Sequence, residues 1–121
     1  MTATPSVQME MREVVAALYG RRFSLTNEKT TQAEIAEALI AAGIPTEREV
    51  RLGDSGIVDV MCGRIAIEVK LAGGKRAIHR QCVRYCERPE VAALILATSV
   101  STTLPSIDKP TFVLSLGKAW L

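Results

Sequence analysis

No apolar run in these 121 residues approaches the roughly 20 that a membrane-spanning helix needs. The opening MTATPSVQMEMREVV has neither the basic region nor the apolar stretch of a signal peptide. Cysteine is scarce: three residues, an odd number without framework spacing, fit a reducing compartment rather than a disulfide scaffold. A cytoplasmic protein with no membrane partner is therefore expected. Phosphate-loop spacing is missing around Gly73-Gly74, and no serine sits in a nucleophile elbow. Internal repeats and low-complexity segments are missing too.

What remains suits a compact globule. An apolar fraction of 48% over this length supports one domain spanning residues 1–121, with Met1–Pro5 frayed. The net charge of +2 is unevenly spread. Arg64 to Arg88 holds seven basic and two acidic residues, a local +5, which leaves −3 elsewhere.

Periodicity predicts a helix from Val7 to Tyr19, ending near Gly20, then a polar surface loop. A second helix is predicted from Thr31, where Thr31-x-x-Glu34 has capping-box spacing and Ile35, Ala38, Leu39 and Ala42 form one face. Glu34 lies about 100° from the centre of that face and Glu37 about 160°. Glu34 is thus the acid expected to look toward a sheet edge. Strands follow at Glu47–Leu52, Gly56–Met61 and Arg64–Lys70, then a helix from Lys75 to Arg88 stopped by Pro89. The continuous apolar run Val91–Thr98 reads as a strand buried on both faces, and Thr111–Leu116 as the last strand, with Trp120 docked on the core. The order α-α-β-β-β-α-β-β implies an α/β (α+β) fold with a mixed central sheet flanked by helices.

The segment Gly56–Lys70, GIVDVMCGRIAIEVK, carries the chemistry. If Cys62-Gly63 is the hairpin loop, Asp59 lies opposite Ala66 and diagonal to Glu68. Val58, Val60, Ile65, Ile67 and Val69 would share one face, and Asp59, Glu68 and Lys70 the other. Two carboxylates and an amine on an otherwise apolar ribbon are costly unless something uses them, and a divalent cation is the natural user.

Asp59 followed nine positions later by Glu68-Val69-Lys70 resembles the D…(D/E)xK signature of the PD-(D/E)XK nuclease superfamily, with Val58 where the motif has proline. Gln81-x-x-x-Tyr85 on the next helix resembles the Q-x-x-x-Y motif of RecB-type members. Glu34 resembles the extra acid that many members place beside the metal. The run Glu68-Val69-Lys70…Gly74-Lys75…Gln81 is also similar to stand-alone VRR-NUC domains and small Holliday-junction resolvases. The likeness covers about Thr31 to Thr98.

The resemblance implies a restriction-endonuclease-like core and hydrolysis of DNA phosphodiesters by a metal-activated water. Mg²⁺, with Mn²⁺ as substitute, would be held by Asp59, Glu68, the Val69 carbonyl and Glu34. Lys70 would orient or help deprotonate the water, Gln81 would hold that water or a phosphate oxygen, and Tyr85 would support Gln81. A homodimer, as small resolvases form, and a partner protein supplying specificity both fit the likeness. Arg76, Arg80, Arg84 and Arg88 recur every four residues, a stripe that reads as a phosphate track with Lys75 at its mouth.

Each feature also has a plainer reading. Asp59 and Glu68 could pair with Lys70 or Arg64, Glu34 could simply cap its helix, and the arginines could be a solvated face. His79, Cys82 and Cys86, with Cys62, could hold a structural metal, though their spacing lacks a C-x₂-C pair. A metal-free nucleic-acid- or protein-binding module, or a nuclease acting on RNA, stands as the alternative to DNA cleavage.

Overall fold

The computed structural model describes residues 6–117. The expectations for Met1–Pro5 and Trp120 concern residues outside that range. Within it the chain is a mixed α+β fold, three helices on a five-stranded sheet of order β1-β2-β3-β4-β5. In chain order these are α1 (Val7–Leu18), α2 (Glu28–Ala41), β1 (Glu47–Arg51), β2 (Ile57–Cys62), β3 (Ile65–Lys70), α3 (Lys75–Cys86), β4 (Ala93–Thr98) and β5 (Thr111–Ser115). The first three strands form an antiparallel meander, whereas β3, β4 and β5 run parallel. The predicted element order holds. No helix among the described residues is long and apolar enough to cross a membrane.

Two cores sandwich the sheet. On one side Val14, Leu18, Ile35 and Leu39 of α1 and α2 cover Val60, Ile67, Val69 and Ile95. On the other, Ile78, Cys82 and Tyr85 of α3 cover Val58, Met61, Ala66, Leu94 and Leu96. With apolar groups on both faces, β4 is buried at every position, as its unbroken apolar run predicts. α3 ends at Cys86, with Glu87 as its C-cap, two residues short of the predicted Arg88, the residue that Pro89 disfavours from α conformation.

Two local expectations are corrected. The second helix starts at Glu28, capped by Asn27, whose side chain accepts from Thr30 N at 2.8 Å. Asparagine ranks above threonine as a cap, and Thr31, already inside the helix, turns its hydroxyl to the carbonyls of Ser24 and Asn27. The β2–β3 loop is Gly63-Arg64 rather than Cys62-Gly63, since Cys62 pairs with Ile65 and is buried. Gly63 takes φ +61 at the first loop position, the place a type II′ turn reserves for glycine. Arg64 extends from the loop to an ion pair with Glu10 of α1.

Asn27→Ala should lower the unfolding free energy by about 1 kcal/mol in urea titration, the usual worth of an N-cap. A loss below a few tenths would show that the cap is not what sets the start of α2.

Candidate active site

The corrected hairpin has a direct consequence for the acids. With Val60 opposite Ile67, one further step along the ladder sets Asp59 across from Glu68 instead of Ala66. Regular strand pairing stops there, and side chains replace it. Val69 N donates to Asp59 Oδ2 at 2.7 Å, and Asp59 N lies 3.4 Å from Glu68 Oε1. Each carboxylate takes a main-chain donor that a continuous ladder would have used.

Strand alternation also fails at this point. Val58 packs in the α3-side core, but Val60, two residues on, packs under α1 and α2. The expected common face for Val58 and Val60 is therefore corrected: the strand turns over around Asp59. The neighbouring strand does the same. Arg48 pairs with Val60 and Val50 with Val58, so Glu49 stands across from Asp59, and it alone among the described non-glycine residues has positive φ, +54. For a residue with a Cβ that left-handed conformation costs about 1–2 kcal/mol.

Electrostatics follow from burial. Glu68 is only 2% exposed. Burial first, and the adjacent charge of Asp59 second, push its carboxyl up to about 9. Burial also raises Asp59, opposed chiefly by the Val69 N–H. Lys70 Nζ stands 3.8 Å from Glu68 Oε2, a single ammonium beside one buried and one half-buried acid. With both acids ionised the set would be short of one positive charge; holding Glu68 protonated leaves Asp59 balanced by Lys70.

The helices bring further groups to this place. Tyr85, fully buried on α3, donates to Ile57 O at 2.8 Å and accepts from Gln81 Nε2 at 2.8 Å. It pins β2 two residues before Asp59. The Gln81 amide nitrogen is thus engaged with Tyr85 rather than standing ready for a water. Burial, then the Glu68 charge, raises the Tyr85 hydroxyl to about 12, so it stays a donor.

Glu34 does not join the group. Its Oε1 accepts from Ser24 N at 2.7 Å, in the loop between α1 and α2. The early start of α2 moves Glu34 to the second turn and brings Glu28 forward. Glu28 Oε2 accepts from Leu71 N at 3.1 Å, just beyond Lys70, and its charge adds to the rise at Asp59. Sequence reasoning passed over Glu28. The signal was Asn27, a stronger cap than Thr31, with an acid directly after it.

The basic stripe divides. Lys75, Arg76 and Arg80 are exposed and make no ion pair among the described residues. Arg84 donates to Ser55 O at 3.3 Å, and Arg88 pairs with Glu90 at 3.1 Å. His79 meets Thr102 Oγ1 at 3.1 Å, while Cys62, Cys82 and Cys86 are buried free thiols. Among the described residues no three His, Cys, Asp or Glu side chains gather as a metal cluster, so the His79/Cys82/Cys86 option is not formed.

The donor set is all oxygen, Glu68 buried and Asp59 half-buried, with Lys70 the ammonium beside it. That suits a hard cation which keeps several waters and needs few protein ligands. Comparison with family models, curated proteins and solved structures returns no match.

Burial of Glu68 sets a stability test. Below the unfolded carboxyl's ordinary 4.5 both states are protonated, and Glu68 has no effect. Between there and about 9 the unfolded chain ionises while folded Glu68 holds its proton, so stability falls as pH rises. In EDTA, Glu68→Gln should therefore melt several degrees above the parent at pH 8, with the gap closing near pH 4. Parallel melting curves across that range would remove the claim that Glu68 is held neutral.

Proposed function

We propose that this chain is a divalent-metal-dependent nuclease of PD-(D/E)XK type that hydrolyses DNA phosphodiester bonds. The observation that carries the reading is the facing pair Asp59–Glu68 with Lys70 3.8 Å from Glu68, set where the β2–β3 ladder opens. A purely structural role would leave Glu68 buried where it cannot readily ionise, at a standing cost in stability.

Asp59, Glu68 and the Val69 carbonyl would hold Mg²⁺ or Mn²⁺. Glu28 takes the place that sequence reasoning gave to Glu34. The bound cation would supply charge for the scissile phosphate and acidify a water. Lys70 orients that water and offsets the phosphate charge. Tyr85 fixes the start of β2, and Gln81 is fixed by Tyr85 at the edge of the site. Lys75, Arg76 and Arg80 supply exposed cations for the nucleic-acid backbone. Arg84 and Arg88 act mainly on the Gly53–Ser55 turn and Glu90.

The test is plasmid nicking in Mg²⁺ and Mn²⁺, alongside linear, branched and single-stranded DNA and RNA. The parent should nick DNA and lose activity in EDTA. Glu68→Ala and Lys70→Ala should each lower the rate at least about 100-fold, on the scale of lost general acid–base assistance. Glu28→Ala should lower it less, and Glu34→Ala should leave it within about twofold, as for a residue outside the site. Cleavage that survives both Glu68→Ala and Lys70→Ala would overturn the proposal. Salt-sensitive DNA binding without cleavage would favour the binding module, and cleavage of RNA alone would move the substrate.

Binding offers a separate check. The double change Arg76→Ala and Arg80→Ala should weaken DNA affinity uniformly across sequences and reduce the log–log salt slope by about 2. An unchanged slope would show that the α3 stripe does not touch phosphates.

A further inference from the structure

The strained residue of β1 has no place in the chemistry just described, yet it stands across the sheet from Asp59. Glu49 has φ +54, and its register neighbours are the pairs Arg48–Val60 and Val50–Val58. Both strands turn over together here. Val50 and Val58 pack on the α3 side, whereas Val60 packs under α1 and α2 and its partner Arg48 is exposed. In β2 no residue has positive φ, so the unusual backbone conformation of the paired turn-over resides in β1. Lys29, in the first turn of α2, donates to the Glu49 carboxylate at 2.8 Å, and that hydrogen bond, then its charge, lowers the carboxyl below its ordinary value. Its neighbour Glu28 holds Leu71 N of the segment after β3. One helix end therefore grips the chain on both sides of β2.

We propose that Glu49 is a positioning residue for Asp59: its left-handed backbone kinks β1 so that β2 turns over and the Asp59 carboxylate swings to Val69 N and Glu68. An extended residue at position 49 restores ordinary alternation across the pair. Asp59 is then carried off the Val69 N–H, and the two carboxylates no longer face each other. The inference rests on the cation reading of Asp59 and Glu68, and it assigns a residue outside that pair to its geometry.

The test separates backbone conformation from side-chain chemistry. Glycine adopts positive φ freely and asparagine tolerates it, while valine is strongly biased to extended strand geometry. Mn²⁺ binding, followed by calorimetry and by paramagnetic resonance of free Mn²⁺, should be unchanged within about twofold in Glu49→Gly and Glu49→Asn. In Glu49→Val it should weaken about tenfold or more, the scale for disturbed support of a metal ligand. Plasmid nicking should show the same order in kcat with KM for DNA unmoved, because position 49 lies off the α3 stripe. If Glu49→Val fails to fold, as judged by circular dichroism, Glu49→Thr takes its place, since it keeps the β-branched bias to extended geometry with a polar side chain at this exposed position.

Equal Mn²⁺ affinity in the glycine and valine (or threonine) variants would overturn the inference. So would a loss in glycine as large as in valine, which would assign the effect to the carboxylate rather than the backbone. A parent that binds no Mn²⁺ would overturn the cation reading itself and this inference with it. The two failures are told apart by the parent's own titration.

Discussion

The molecule is arranged around an interruption. Between β2 and β3 the exchange of main-chain hydrogen bonds ends at Val60 and Ile67, and beyond it carboxylates complete the pairing. An open pair of strands in a buried sheet would leave N–H groups unsatisfied, each costing about 1–3 kcal/mol. Asp59 and Glu68 prevent that by accepting from Val69 N and Asp59 N. The same act brings two acids together, Glu68 buried and Asp59 half-buried, where ionising both is unfavourable. Satisfying the backbone and straining the electrostatics are one event.

Support for this opening comes from both layers of helix. On one side Tyr85 ties α3 to Ile57 and receives Gln81, so the start of β2 cannot drift. On the other, the Asn27 cap fixes where α2 begins, and that choice sets Glu28 against Leu71 and Lys29 against Glu49. A helix beginning at Thr31 would have offered neither contact. The cap is a local interaction with a distant effect, because in a helix the register of every later side chain follows from the first residue.

The charge distribution follows the same division of labour. Acids that contact backbone donors are drawn inward, and the lone ammonium of Lys70 is held three-quarters buried beside them. Exposed cations lie on α3, where Lys75, Arg76 and Arg80 are unpaired among the described residues. On the proposed function, these exposed cations would draw a polyanion toward a cation held by Asp59 and Glu68.

Periodicity, turn chemistry and the spacing from Asp59 to Glu68 and Lys70 were enough to establish the element order and the identity of the central acids. These are local properties: alternation, caps and glycine at a turn act over a few residues. Which face each group occupies was decided only by tertiary structure. The hairpin moved by one residue because burying Cys62 and pairing Arg64 with Glu10 outweighed the other loop, and that brought Asp59 directly to Glu68. Alternation predicted one face for Val58 and Val60. It could not foresee the turn-over at Asp59, since the left-handed backbone responsible belongs to Glu49 on another strand. Likewise Glu34 and Glu28 are both acids on one helix, and only the packing of α2 on the sheet chose between them. Sequence determined which charges the chain carries and roughly where. Contacts between segments far apart in the chain decided which of them face one another, because burial and hydrogen bonding across strands depend on partners that no local pattern contains.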